Sequence, residues 1–345
     1  MKAAVLTGLR ELDILDVPDP EIREDTDVLL DVGAVGVCGS DIHYYTTGRI
    51  GSMIVEHPFR VGHEFAATVR RTGSGVRRVK PGDRVAVDPA MPCGACDQCK
   101  AGRSHTCRRL LFLGCPGQVE GCLCERIVMP EGSCFPVAPD LPFEMAALIE
   151  PLSIGLYSVK QSIPMDGARI GILGCGPIGL SVLVSAGALG ADRVYATDRL
   201  DYRVDAVRGA GANWAGNPDS ADVVAAITEQ EPLLLDAVFE CCGEQAAVDQ
   251  AVRLLKPGGT LVIVGIPRVE RISFNIEAIR RKELTVQNIR RQNDCVQPAI
   301  DLLEQQKIDP RFMITHRFSL ERTRDAFDLV DGYRDGVLKA MIMVT

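Results

Sequence analysis

One stretch constrains the fold of this chain more than any other. Arg169–Leu173 is a short apolar run. Gly174-Cys175-Gly176-Pro177-Ile178-Gly179 follows it as a G-x-G-x-x-G, and an apolar helical pattern covers 178–189. The glycines permit a tight turn and close backbone approach, so a pyrophosphate can rest on the helix N-terminus. The motif means little alone and gains its meaning from the strand before it and the helix after it. Further strands are predicted at Arg193–Thr197, 237–240, 260–265 and Thr285–Asn288, with helices at 202–208 and Gln245–Leu254. Strand–helix alternation of this kind predicts a parallel, doubly wound α/β sheet with right-handed crossovers. Asp198 ends the next strand, 19 residues beyond Gly179. An acid there accepts ribose hydroxyls and repels a 2′-phosphate, which favours NAD over NADP. Arg199 beside it weakens that preference, and Arg203 is placed to flank the adenine.

The first 155 residues read differently. Alternating runs at 28–32, 65–69 and 83–87 predict strands, separated by turn clusters such as Thr72-Gly73-Ser74-Gly75 and Lys80-Pro81-Gly82-Asp83. A chain of 345 residues has room for roughly two domains. The expected layout is a β-rich domain over 1–155, completed by 290–345 with a helix near 297–305, and a dinucleotide-binding domain over 156–289. Lys and Arg total 38 against 46 Asp and Glu, and no basic block occurs. Nucleic acid and anionic membranes are therefore poor partners. Apolar runs such as 261–266 fall well short of the ~18 residues of a membrane span. The N-terminal residues lack a signal-peptide core and read as a strand, so a cytoplasmic protein is expected.

Thirteen cysteines is a large and odd number. In a reducing compartment such thiols hold metal more readily than one another. Cys93, Cys96 and Cys99 are spaced by two residues each, and Cys107 follows after seven more. Four thiolates this close can close a tetrahedron around zinc with no open position, which predicts a structural site. The run also begins like an iron–sulfur motif, but its fourth cysteine comes late and no proline follows. A second set consists of Cys38-Gly39-Ser40-Asp41-Ile42-His43 and Gly62-His63-Glu64. Cys38 and His63 are natural ligands for a catalytic zinc, and Asp41 is placed to orient the histidine. Glu150, just before the nucleotide-binding half, is a third carboxylate candidate, and the junction of the halves is where metal and cofactor are expected to meet.

With these motifs in order, the chain resembles the zinc-dependent medium-chain dehydrogenases of the alcohol dehydrogenase superfamily. Cys38–Tyr45, Gly48-Arg49-Ile50-Gly51, Glu150-Pro151-Leu152-Ser153 and Thr315-His316-Arg317-Phe318 resemble the sorbitol (polyol) dehydrogenase branch. The resemblance covers essentially the whole chain and implies a GroES-like catalytic domain joined to a Rossmann domain. It makes Cys38, His63 and Glu64 ligands of the catalytic zinc. Glu150 stands at an alternative ligand position. Ser40 and His43 match a proton relay, in which Glu150 is a second acceptor. Tyr44, Phe112 and Arg291 match positions that shape a polyol pocket. Ile178, Asp198, Arg203, Val264, Gly265, Ile266, Ile289, Arg290 and Arg291 match cofactor contacts. Two zinc ions per chain follow, one catalytic and one structural, together with a homotetramer or homodimer. The four-cysteine clip, absent from the animal enzymes, points to a bacterial-type member. Arg290 and Gln292 flank Arg291 where aromatic residues are familiar, and Cys115 replaces a common threonine.

The expected reaction is oxidation of a polyol's secondary alcohol to a ketone, with hydride passing to NAD. Two alternatives are another zinc alcohol or amino-alcohol dehydrogenase, such as a threonine type, and a non-catalytic NAD-binding relative.

Overall fold

The computed structural model describes residues 1–267 and 269–344. The chain forms two compact units, Met1–Glu150 with Ile314–Thr345, and Pro151–Met313.

In the first unit, Asp27–Gly36 is a ten-residue strand that is buried almost throughout. Glu64–Thr72 pairs antiparallel along its whole length. On its other edge two partners share the space: Arg126–Pro130 pairs with 27–31, and Lys339–Met343 with 34–36. The sheet order is Cys134–Pro136, Arg84–Val87, Glu64–Thr72, Asp27–Gly36, Lys339–Met343, Ile314–Ser319. The predicted strands near 28, 65 and 83 are thus present, and the C-terminal tail supplies two more. One core runs beneath this sheet, with Val28, Leu30, Val32, Phe65, Val85, Leu123 and Ile342 among its buried members. Alternate apolar residues face it because strand side chains alternate sides.

The second unit is built on a six-stranded, fully parallel sheet. Its order is Trp214–Gly216, Arg193–Thr197, Arg169–Leu173, Leu235–Glu240, Leu255–Ile263, Thr285–Asn288. The first strand in sequence is central, and the order reverses between it and Leu235–Glu240, the doubly wound arrangement. Helices Pro177–Ala188, Asp201–Gly209 and Gln245–Leu254 lie close to their predicted ranges. The strand Trp214–Gly216 and the helix Val223–Gln230 are additions. The expected strand over 260–265 ends at Ile263, because the Val264 and Gly265 N–H groups turn to the Glu240 carbonyl, at 2.8 and 2.9 Å.

Candidate metal and dinucleotide sites

Helix Gly39–Thr47 starts at Cys38, whose extended backbone makes it the N-cap. Asp41 turns back and accepts the Cys38 N–H through Oδ2 at 3.1 Å. Its Oδ1 accepts the Gly62 N–H at 3.1 Å and lies 3.5 Å from His63 Nδ1. One buried carboxylate therefore ties the two segments that carry Cys38 and His63. Gly62 has φ +96°, and a Cβ there would meet Leu123 Cγ at 2.9 Å. Only glycine takes that turn without strain, and the turn aims His63 inward. Burial works against a charged His63 ring, but the charges of Asp41 and Cys38 hold its pKa well above the usual value.

Glu64 opens the strand Glu64–Thr72 and is buried. Ligand atoms of Cys38, His63 and Glu64 all lie within 4.8 Å of one another. Thiolate, imidazole and carboxylate form a donor set that suits zinc with three protein ligands, leaving a fourth position for water or substrate. The residues fit the ion. Glu150, buried at the start of helix Ile149–Lys160, stands outside this ligand group. Burial pushes its carboxyl up to about 8, with His63 opposing the shift and Glu64 adding to it.

Sequence reasoning missed Lys339. Its ammonium is buried, 2.5 Å from Glu64 Oε2, and donates to the Val37 carbonyl at 3.1 Å. Burial alone would lower its pKa, but the charges of Glu64 and Cys38 raise it. A Cβ at Gly36 would stand 2.4 Å from Glu64 Oε2, so that glycine leaves space for the carboxylate. Ser40 and His43 are half-buried and three residues apart, on one face of the Cys38 helix. The Phe112 ring lies 5.3 Å from the His63 ring, and the buried Tyr44 hydroxyl lies 4.0 Å from Cys115 Sγ.

The four clip cysteines also converge, with all ligand atoms within 4.8 Å. Cys96 Sγ lies 3.6 Å from Cys99 Sγ and 3.8 Å from Cys107 Sγ. Cys107 Sγ accepts N–H groups from Cys93 and Arg109, at 3.3 and 3.4 Å. The backbone N–H groups of Ala95 and Cys96 push the Cys93 thiol down to about 6. Four thiols with such donors around them suit a closed zinc site.

In the second unit, Gly174 has φ +99°, and a Cβ on Gly179 would lie 1.9 Å from the Gly174 carbonyl oxygen. Gly176 is the N-cap of the helix and Pro177 its first residue, and no side chain caps it. Its leading N–H groups suit a pyrophosphate. Asp198, buried, accepts the Cys175 N–H at 2.7 Å and the Leu200 N–H at 2.9 Å. Arg203 approaches it at 3.7 Å, while Arg199 is turned to Asp219 at 2.7 Å. Ile178 is half-buried beside this turn and Ile266 is 55% exposed. The Ile289 N–H extends the sheet to Ile263, and Arg290 and Arg291 follow, Arg291 with φ +56°. Glu240, also missed in the sequence, is fully buried and accepts the Cys242 and Gly243 N–H groups at 2.8 and 2.6 Å. It shapes the turn that faces Gly174.

Residues 24–140 match the model of the alcohol dehydrogenase GroES-like domain, and 177–305 match the zinc-binding dehydrogenase model. A sorbitol dehydrogenase of Bacillus subtilis is 37% identical over 99% of this chain and 97% of its own. A D-xylulose reductase A of Aspergillus oryzae is 33% identical over 94% of this chain and 91% of its own. Among solved structures, a protein of Sinorhizobium meliloti described as a zinc-binding dehydrogenase, bound to NADP, is 32% identical with a TM-score of 0.90. The match spans 99% of both chains. By its GroES-like and parallel-sheet units, its converging donor sets and these full-length likenesses, the chain belongs to the zinc-binding medium-chain dehydrogenases, an oxidoreductase family, in the branch of the sorbitol dehydrogenases.

Proposed function

We propose that this chain oxidises a secondary hydroxyl of a polyol or sugar alcohol, such as sorbitol or xylitol, to the ketone, with NAD as hydride acceptor. The observation that carries the reading is the convergence of Cys38, His63 and Glu64 within 4.8 Å. A carboxylate in the place of a second thiolate gives a more polar metal site, suited to a substrate rich in hydroxyls. When bound there, zinc supplies Lewis acidity that makes an alcohol easier to deprotonate, and NAD in the glycine-rich turn supplies the redox chemistry.

The chain's own residues do the rest. Asp41 holds the Cys38 and His63 segments in register. Ser40 receives the proton leaving the substrate hydroxyl and passes it towards His43 or Glu150. Tyr44 and Phe112 shape the pocket, and its polar groups penalise substrates that lack matching hydroxyls. Asp198 receives the adenosine ribose and disfavours a 2′-phosphate, and Arg199, paired with Asp219, does not offset it. Cys93, Cys96, Cys99 and Cys107 hold a second, structural zinc. A cytoplasmic homotetramer, or homodimer, accompanies this reading, and light scattering measures the assembly.

The test is NAD reduction with xylitol, sorbitol, galactitol, arabitol and inositol, with threonine and ethanol as controls and NADP run in parallel. Turnover of a polyol above both controls, faster with NAD, is expected. Activity on ethanol alone overturns the polyol assignment. Cys38→Ser should abolish turnover and leave NAD binding intact; retained turnover removes Cys38 from the site.

A further inference from the structure

We propose that Glu240 is a positioning residue for the dinucleotide: it clamps the loops 241–243 and 264–266 together beside the glycine-rich turn, and so sets the affinity for NAD. The inference rests on the cofactor reading above and adds a residue which that reading does not use.

Glu240 ends the strand Leu235–Glu240, which lies beside Arg169–Leu173 where the strand order reverses. In doubly wound sheets, ligands bind outside the carboxyl ends of the strands at that place. The loop after Glu240 meets the turn after Leu173 there. The Cys241 N–H donates to the Leu173 carbonyl at 2.8 Å. A Cβ on Gly174 would stand 2.9 Å from Cys242 Cβ and 3.0 Å from the Cys242 nitrogen. The loop 241–243 is therefore one wall of the glycine-rich turn.

Glu240 holds that wall from two sides. Its Oε1 accepts the Cys242 and Gly243 N–H groups at 2.8 and 2.6 Å. Its main-chain carbonyl accepts the Val264 and Gly265 N–H groups at 2.8 and 2.9 Å. A backbone N–H can only donate, so the direction of all four bonds is fixed. The two loops also touch. A Cβ on Gly265 would lie 2.3 Å from the Gly243 nitrogen and 2.8 Å from Glu240 Oε2. Gly243, at φ +74°, would place one 2.5 Å from the Ile266 carbonyl oxygen. These glycines let backbone rest on backbone with no slack between the loops. Glu240 itself is fully buried, so it acts on a cofactor only through the loops it places. Val264, Gly265 and Ile266 are the expected cofactor contacts on this side, and Glu240 decides how far they stand from the Cys242–Gly243 turn.

Two variants separate reach from charge. Glu240→Asp keeps the carboxylate but falls one methylene short of the two N–H groups. Glu240→Gln keeps the reach, because an amide oxygen has two lone pairs for the two donors. The readouts are the NAD dissociation constant by calorimetry, the thermal midpoint without cofactor, and KM for NAD against KM for the preferred polyol. If the unaltered protein binds only NADP, NADP is the probe. We expect Glu240→Asp to weaken NAD binding about tenfold, the scale of one misplaced hydrogen bond. Glu240→Gln should stay within about threefold, although burying its NH2 against Gly265 lowers the midpoint as well. KM for NAD should follow the dissociation constant, with KM for the polyol unchanged. Gly243→Ala pushes a Cβ against the Ile266 carbonyl with Glu240 intact, and should weaken NAD binding about as much as Glu240→Asp. A residue that merely stabilised the fold would lower affinity in step with the midpoint in both Glu240 variants, and that result overturns the inference. So does a greater loss in Glu240→Gln than in Glu240→Asp, or unchanged affinity in Glu240→Asp or Gly243→Ala. If the unaltered protein binds neither NAD nor NADP, the cofactor reading falls and takes this inference with it. Binding by the unaltered protein with indifferent variants sinks this inference alone.

Discussion

Replacing Lys339 by methionine isolates the electrostatics of the first unit. Methionine keeps the length and most of the volume of lysine, so packing changes little. What is lost is the ammonium 2.5 Å from Glu64 Oε2. Lys339 and Glu64 side chains are 1% and 2% exposed, so water cannot replace the missing partner. The gross attraction of two unit charges at that distance is roughly 7 kcal/mol at an effective dielectric of about 20. Desolvation of both ions cancels much of it, and deleting one partner of such a pair costs about 3–5 kcal/mol. That is a large part of the stability of a typical domain. Glu64→Gln on the Lys339→Met background should restore most of it, because a neutral pair leaves no stranded charge. The single tryptophan, Trp214, lies in the other unit and would miss the effect. Hydrogen exchange in the strands Glu64–Thr72 and Lys339–Met343 of metal-stripped protein reports it directly. A loss below about 1 kcal/mol in Lys339→Met, or a double variant no better than the single, would refute the reasoning.

Three further outcomes follow from the same structure. Gly179→Ala forces a Cβ to within 1.9 Å of the Gly174 carbonyl, so the turn must open; NAD affinity by calorimetry should fall at least about tenfold, and unchanged affinity would remove this turn from the cofactor site. Cys99→Ser should break the zinc site proposed for the clip, lowering bound zinc by one per chain relative to the parent and lowering the thermal midpoint, because binding energy at a structural site is folding energy. In metal-free protein, the Glu150 carboxyl at about 8 against an ordinary 4.5 contributes stability that is complete below about pH 4.5 and lost as pH rises through about 8. Glu150→Gln stays neutral, so its thermal midpoint should gain on the parent between about pH 5 and 9; a gap that ignores pH would show that burial does not hold that carboxyl protonated.

Chemistry that demands particular residue types was legible in the sequence. Zinc needs thiolate, imidazole or carboxylate, so the four clip cysteines are marked as candidate ligands by type and spacing, and Cys38 and His63 by their order with the clip and the glycine-rich turn. The glycine-rich turn was legible because its close approaches exclude side chains, as Gly174 and Gly179 demonstrate. Lys339 was not legible. A single lysine reads as surface, and its role appears only when the strand Lys339–Met343 pairs with Asp27–Gly36, beside the strand that Glu64 opens. Glu240 read as the end of a strand, and its grip on the Cys242–Gly243 turn depends on backbone geometry that carries no signature in residue type. The strand Trp214–Gly216 has three residues, too few to display a period of two. The ladder Leu255–Ile263 runs through Pro257-Gly258-Gly259, residues that punctuate most strands, and a register shift between Leu235 and Ala237 of its neighbour accompanies that interruption.

Diffraction from crystals of the zinc-loaded enzyme, measured on both sides of the zinc absorption edge, tests the core of the account. The expected result is an anomalous peak bonded to Cys38 Sγ, a His63 nitrogen and a Glu64 oxygen at about 2.0–2.3 Å, with a second among Cys93, Cys96, Cys99 and Cys107. A map with density at the four sulfurs alone, or with the first ion held by residues other than Cys38 and His63, would contradict it.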